Sequence, residues 1–506
     1  MPAVRIKTLK NGHYQLIVDN KPYIVRGVCY NPVPIGQGYE YDWWSDPYKP
    51  WLLDGKLMQE MGVNTIRVYQ PGQNPETVKA VIRDMYEKFG IRTIMGHWIG
   101  FWEYPCPLYG DRDFQDRIRR EILDMVRTYK DEPGILGWVL GNENNYSCLG
   151  HVNPWSSDEI DREPDPQKRM RMKARIYYSF INYLAREVRD IDRNHPVGLG
   201  NGELMGLDLA REFAPGVDFV ASIIYRGKTF GNLFNSLKST FDKPVLLSEI
   251  GADSYDALHN KEDQNMQAFF LESQWRQIMD NVAGAPKGAG NCLGGVIFEW
   301  TDEWWKHAMV DPKGWAVHDT GSNWSNGSYY FDIQAPNNMN MNEEWFGIVS
   351  LSPDERESGL DKRQPRKAYY VLREFWRDGG AGTQAVKEGK GNETVITGGL
   401  HNIFDRFVRV RPASGSAPGQ GFCRPCGSRE KRRCGRGSVR RGPRRFFSEK
   451  RLSGVYRFLR GSGQIKEDPC AVAGLLYRAC AVPPDEISGR NAELGRIFQQ
   501  GQRLSR

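Results

Sequence analysis

The feature that most constrains this chain is a recurrence. Eight apolar runs rich in β-branched residues follow one another, each closing on polar residues: Tyr23–Tyr30, Val63–Tyr69, Ile91–His97, Ile135–Glu143, Val197–Asn201, Val217–Tyr225, Val245–Glu249 and Gly294–Trp300. Short runs of this kind suit strands buried on both faces, as in a parallel sheet. Helical periodicity fills the gaps. Val78, Val81, Ile82, Met85 and Phe89 fall on one helical face, and Phe114, Ile118, Ile122, Met125 and Tyr129 on another. Gly62 and Gly90 stand just before strands, where a helix needs a C-terminal cap. Strand and helix alternating through eight repeats predict an α/β protein, a parallel (β/α)₈ TIM barrel. An open doubly wound sheet would carry a Gly-rich phosphate turn after its first strand, and Gly27-Val28-Cys29-Tyr30-Asn31 is no such turn.

Charge divides the chain in two. The overall net charge is +7. Residues 401–506 hold about 23 Lys and Arg, about 20 of them Arg, against about 8 Asp and Glu, so the remainder is acidic. The composition changes after KAYYVLREFW, which reads as a last helix. This gives a barrel over 1–380, with a long insert at about 303–365, and an Arg/Gly-rich tail over 381–506. Little stable structure is expected in 400–470. The excess of Arg, Gly, Pro, Ala and Cys in that tail is the composition of a frameshifted reading of GC-rich DNA, which the other reading frames would expose. Clustered Arg with Gly also suits phosphate, but aromatic residues are not interleaved with it. Cys423 and Cys426 have no second Cys-x-x-Cys to complete a zinc site. No specific nucleic-acid partner is expected.

In a (β/α)₈ barrel, chemistry gathers where the strands end. Those ends supply Tyr30, Asn31, Arg67, Tyr69, His97, Trp98, Asn142, Glu143, Asn201, Glu203, Tyr225, Glu249, Trp300 and Asp302. Amides, rings, a cation and a few carboxylates are the inventory for a neutral, hydroxyl-rich ligand. The aromatic share of 12%, with 15 Trp, points the same way, since sugar C–H faces stack on rings. Tyr39, Tyr41, Trp43, Trp44, Trp304 and Trp305 sit in polar stretches that could offer such platforms. Glu143 closes the fourth run and Glu249 the seventh, on strands that face each other across a barrel mouth. One strand-end Glu is unremarkable, but two on this pair of strands match the carboxyl pair of glycoside hydrolysis. A separation of about 5–5.5 Å gives retention and about 6.5–9.5 Å inversion.

GWVLGNE followed by LLSEIGAD resembles the clan of retaining barrel glycosidases that carry catalytic Glu on strands four and seven. Over roughly residues 20–375 the chain is most similar to the barrel domain of glycoside hydrolase family 2, the β-galactosidase and β-glucuronidase family. GVNTIRVYQ, SEIGAD and FEWTDEWWK carry that likeness. YIVRGVCYNP is also similar to fungal-type β-1,3-glucanosyltransferases. The resemblance implies a retaining β-glycosidase without cofactor, with Glu143 as acid/base and Glu249 as nucleophile. It further implies that Asn142 binds the sugar 2-hydroxyl, that Tyr225 donates to Glu249, that Arg67 lies beneath that carboxylate, and that Trp300 is the platform under the sugar. His97 is a further candidate for substrate contact. An acid needs an apolar setting and a nearby like charge, and Trp138 and Val139 are the candidates to line it. The segment at 303–365 and the insert at 144–165 are expected to wall the site. Family members place β-sandwich domains before the barrel, whereas about 20 residues precede the first strand here.

Three other readings remain in view: a β-glucan transglycosylase using the same two Glu, a non-catalytic carbohydrate-binding barrel, and a metal-dependent barrel hydrolase. The last needs several clustered ligands, often His-x-His on the first strand, and the eight His are dispersed. No metal is expected. No apolar stretch reaches the roughly 20 residues of a membrane span, and the first residues lack the apolar stretch of a secretory signal. The chain as written is expected to be cytoplasmic. Cys29, Cys106, Cys148 and Cys292 are scattered and read as free structural thiols. The sequence names neither the sugar nor the oligomeric state.

Overall fold

The computed structural model describes residues 4–378 apart from 104, 150–152, 257–258, 307–310 and 321–341. The Arg/Gly-rich tail and part of the insert at 303–365 lie outside the described residues.

A three-stranded antiparallel sheet comes first: β1 Arg5–Thr8, β2 Tyr14–Val18 and β3 Lys21–Tyr23. Sequence reading gave these residues no structure, although their turns are visible in it. Asp19 and Asn20 join β2 to β3 with φ of 51° and 62°, the two positive values that a tight two-residue hairpin requires. The order then runs β4 Val25–Cys29, α1 Pro50–Met61, β5 Thr65–Val68, α2 Pro75–Phe89, β6 Arg92–His97, α3 Arg112–Tyr129 and β7 Ile135–Leu140. It continues with the short α4 Asn145–Leu149 and α5 Asp158–Asp161, the long α6 Pro166–Ile191, β8 Val197–Gly202, α7 Leu207–Phe213, β9 Phe219–Ile223, α8 Leu233–Thr240 and β10 Val245–Ile250. A small hairpin, β11 Tyr255–Asp256 and β12 Lys261–Glu262, precedes α9 Gln264–Asn281 and β13 Cys292–Ile297. The hairpin β14 Val349–Glu357 and β15 Leu360–Pro365, then α10 Lys367–Arg377, complete the described chain.

Strands β4 to β10 and β13 form a closed barrel of eight parallel strands, with β13 sealing it between β10 and β4. Each of the eight runs supplies one strand. The fold is a (β/α)₈ barrel.

Side-chain alternation sorts the core into two layers. Val25, Ile94, Leu136, Phe219, Leu246 and Leu293 point into the barrel, near its N-terminal end, and pack with Leu16 and Val18 of β2. The first sheet therefore closes the barrel floor, a placement also fixed by the bond from the Tyr14 amide to the Gly290 carbonyl at 2.8 Å. The outer layer lies between strands and helices. Val78, Val81, Ile82 and Met85 of α2 and Ile118 and Ile122 of α3 are fully buried there, each contributing roughly 1.5–3 kcal/mol of apolar burial. Gly62 and Gly90 cap α1 and α2 with left-handed backbone, at φ of 94° and 71°.

A buried polar lock ties β15 to α1 and to the end of β4. Arg363 of β15 donates from Nε and Nη2 to Asp54 of α1 at 2.9 and 3.1 Å, and Tyr30 donates to the same carboxylate at 2.9 Å. The part of the insert expected only as a wall thus ends in a regular hairpin anchored to the barrel. α10 is the helix read from KAYYVLREFW, and its Trp376 packs edge-on to Trp275 of α9 at 4.8 Å. Among the described residues no helix is long and apolar enough to cross a membrane.

Candidate active site

The strands' C-terminal ends gather one connected polar group. Arg67, at the end of β5, is buried and donates from Nη1 to Glu249 Oε1 at 2.7 Å and to the Ser248 carbonyl at 3.0 Å. Its Nη2 donates to Asn142 Oδ1 at 2.6 Å. One guanidinium thereby joins the end of β10 to the turn after β7. Tyr225, just past β9, donates to Glu249 Oε2 at 2.8 Å, and Tyr69, just past β5, donates to Oε1 at 2.8 Å. Both oxygens of Glu249 are held, by one cation and two phenols. Tyr69 stands among the strand ends in the sequence but without a role, which its position allows: two residues after Arg67 on a strand, it shares that residue's face. Its ring also lies 4.5 Å from the Arg67 guanidinium and stacks on Trp98 at 4.8 Å.

Glu143 is positioned by a turn rather than by a strand. β7 ends at Leu140, and Gly141 reverses the chain at φ 79°. A side chain there is forbidden on both sides of the junction. A Cβ on Gly141 would meet Asn144 Oδ1 at 2.7 Å, and one on Gly200 of β8 would meet the Gly141 carbonyl at 2.2 Å. Asn144, which sequence reading passed over, pins the turn. Its oxygen accepts the Asn142 amide at 2.8 Å, and its nitrogen donates to the Trp98 carbonyl at 3.0 Å and to Tyr109 at 2.7 Å. Asn142 is left with its side-chain nitrogen unbonded among the described residues.

The two carboxyls differ in electrostatic setting. The Glu143 carboxyl makes no ion pair among the described residues. Burial pushes it up to about 8, helped by the negative charges of Glu249 and Glu343 and opposed by Arg67 and Lys306. Val139 faces the barrel interior below it, while Trp138 turns outward and donates to Asp192 at 2.8 Å.

Residues after β13 complete the surroundings. Lys306 bridges Glu303 at 3.0 Å and Glu343 at 2.7 Å and lies 5.9 Å from the Phe298 ring. Phe298 stands edge-on to Tyr225 at 6.2 Å. Burial holds Glu303 up at about 7, with Lys306 opposing, and pushes fully buried Glu299 well above the carboxylate range. Asp302 is paired with Arg366 at 2.6 and 2.8 Å.

Two residues named from sequence go elsewhere. His97 lies on the outer face of β6, where Nε2 meets Glu121 of α3 at 3.3 Å and Nδ1 accepts the Ile99 amide at 3.0 Å. Trp300 is fully buried, 6.4 Å from Tyr369 of α10. Beyond Ile297 the chain leaves the sheet, so strand parity no longer tells which ring faces the mouth. Trp43 and Trp44 are also buried, stacked at 4.0 Å. Among the described residues no group of three or more His, Cys, Asp or Glu is arranged to hold a metal ion.

A (β/α)₈ barrel with polar groups converging on one end is the class that fold and site define. Solved structures similar to it include glycoside hydrolases. One is a β-D-glucuronidase of Dictyoglomus thermophilum, at 14% identity and TM-score 0.48, matched over 74% of this chain and 54% of that one. A second is a family 2 β-galacturonidase of Eisenbergiella tayi bound to galacturonate, at 14% identity and TM-score 0.45 over the same shares. A third is a β-glucuronidase of Bacteroides uniformis, at 17% identity and TM-score 0.46, matched over 72% of this chain and 38% of that one. The chain spans about half or less of their length, and the likeness is one of fold. No family model matches the sequence. No curated protein matches it either.

Proposed function

We propose that this chain is a retaining β-glycosidase in which Glu249 attacks the anomeric carbon and Glu143 serves as general acid, then base. The observation that carries the reading is the contrast between the two carboxyls. Glu249 accepts from Arg67, Tyr69 and Tyr225, so it is fixed in orientation and surrounded by donors, as an attacking anion requires. Among the described residues Glu143 has no such partners, and it keeps its proton up to about 8, as an acid working at neutral pH requires.

In the first step the Glu249 oxygen bonds to the anomeric carbon while Glu143 protonates the departing glycosidic oxygen. Glu143, now ionised, takes a proton from water as that water displaces Glu249. Asn142, held by Arg67, offers its free amide hydrogens to a sugar hydroxyl, and Phe298 with Tyr225 provides the apolar surface beside it.

An activated 2-deoxy-2-fluoro glycoside tests this directly. Peptide mapping should find the glycosyl adduct on Glu249, and proton NMR should show the β-anomer as first product. A first-formed α-anomer would overturn retention. Absence of both adduct and turnover across aryl β-glycosides would overturn the enzymatic reading.

A further inference from the structure

We infer that a second sugar-binding site lies in a cavity of about 190 Å³ between the loop after β4 and the β14–β15 hairpin, and that it takes one pyranose ring of a saccharide. The loop, residues 32–48, joins β4 to α1, so the cavity lies at the same end of the barrel as Glu249. It shares no lining residue with the polar group around Glu249. Its size falls below the roughly 300–1,000 Å³ of pockets for drug-sized ligands, which leaves room for one ring rather than a chain. The aromatic stretch read from sequence as a sugar platform contributes here. Trp43 and Trp44 are buried, but Tyr41 lines the cavity together with Tyr48.

Tyr48 supplies the platform. Its ring rests on the turn of the hairpin, where Ser358 and Gly359 have φ of 53° and 86°, and a Cβ on Gly359 would meet the ring Cδ1 at 2.3 Å. The turn beds the ring, yet Tyr48 stays 59% exposed. A ring so seated and so open suits stacking against the C–H face of a pyranose. Hydroxyls need polar partners, and two buried carboxylates line the same cavity. Asp46 accepts from the Tyr41 hydroxyl and the Tyr48 amide, both at 2.8 Å. Asp361 accepts the Ile35 amide at 2.9 Å and pairs with Arg356 at 2.6 Å. These bonds fix both carboxylates before any ligand arrives. Each carboxylate has about four lone-pair sites, so both keep capacity to accept from sugar hydroxyls. Arg356, more than half exposed, adds a donor at the edge, and Val33, Ile35 and Leu360 make part of the lining apolar. Arg363, held by Asp54, keeps the hairpin side of the cavity in place.

The test is protection of Tyr48 from nitration by tetranitromethane in the full chain, read by peptide mass mapping. The probes are the methyl 1-thio-β-glycosides of glucose, galactose and mannose, which resist hydrolysis, and inorganic phosphate. Tyr183 and Tyr370, 46% and 45% exposed on helices away from the cavity, are internal controls. At least one thioglycoside at saturation should slow nitration of Tyr48 by about tenfold and leave both controls unchanged. In Arg356→Ala the concentration giving half-protection should rise by about tenfold. Tyr48 nitrated equally with and without all three sugars would overturn the inference. Equal slowing of Tyr48 and the controls, or a half-protecting concentration unmoved by Arg356→Ala, would also overturn it. Protection by phosphate and by none of the sugars would overturn it in favour of an anion site on Arg356. None of these outcomes depends on turnover, so the glycosidase reading stands or falls separately.

Discussion

Glu143→Gln separates proton donation from every other part of the proposed chemistry. The carboxyl sits at about 8 instead of its ordinary 4.5, because burial and the charges of Glu249 and Glu343 outweigh Arg67 and Lys306. That displacement corresponds to about 5 kcal/mol held against the ionised form. As pH rises through about 8 the acid is lost, so kcat/KM for a β-glycoside with a poor leaving group should fall tenfold per further pH unit. Glutamine is nearly isosteric and cannot donate the proton at any pH. With an alkyl leaving group the variant should lose about 10²–10⁴ in kcat/KM, roughly 3–5 kcal/mol of barrier. With 2,4-dinitrophenolate, which departs unaided, kcat/KM should change little, and its alkaline limb should be absent. The assay is a pair of pH–rate profiles for each protein, one per leaving group. Equal losses for both leaving groups, or an alkaline limb surviving in the variant, would refute Glu143 as the acid.

Tyr69→Phe and Tyr225→Phe each remove one hydrogen bond to the Glu249 carboxylate, worth about 1.5–3 kcal/mol, and should lower kcat by about 10- to 150-fold with the circular dichroism unchanged. A variant retaining full kcat would remove that tyrosine from the mechanism. Asp54→Ala leaves the Arg363 guanidinium buried and unpaired, so urea denaturation should show a loss of about 3–5 kcal/mol, and a loss under 1 kcal/mol (about the scale of an exposed pair) would mean the lock is slack. Stability should also fall as pH rises. Glu143 and Glu303 have folded values raised to about 8 and about 7, so their contribution is full below 4.5 and lost as pH climbs through those values. Replacing both by Gln should flatten the decline in urea midpoint between pH 5 and 9, and an unchanged slope would count against their burial.

The barrel was legible because each strand is enclosed on both faces and so announces itself as a continuous apolar run. The β1–β3 floor was harder, since its strands are short, yet Asn11-Gly12 and Asp19-Asn20 are turn signals plainly in the sequence. Strand ends located Arg67, Asn142, Glu143, Tyr225 and Glu249 together, because position along a parallel barrel strand maps onto one end of the molecule. What strand order does not carry is side-chain direction. His97 lies one parity step from the interior, and Trp300 stands beyond the last sheet residue, where alternation has stopped. Glu343 meets Lys306 across a long loop, a contact that no local pattern encodes. Asn144 acts through three backbone partners and a phenol, none visible from its neighbours in sequence.

The barrel interior is packed and its base is covered by β1–β3, so the strands' C-terminal ends are the one end of the barrel left for a ligand to approach among the described residues. That asymmetry has a practical side. Lys7 and Lys10, exposed on the outside of the base, offer amines facing away from the rim. Coupling the protein to a solid support through these two residues would leave the strands' C-terminal ends facing away from it.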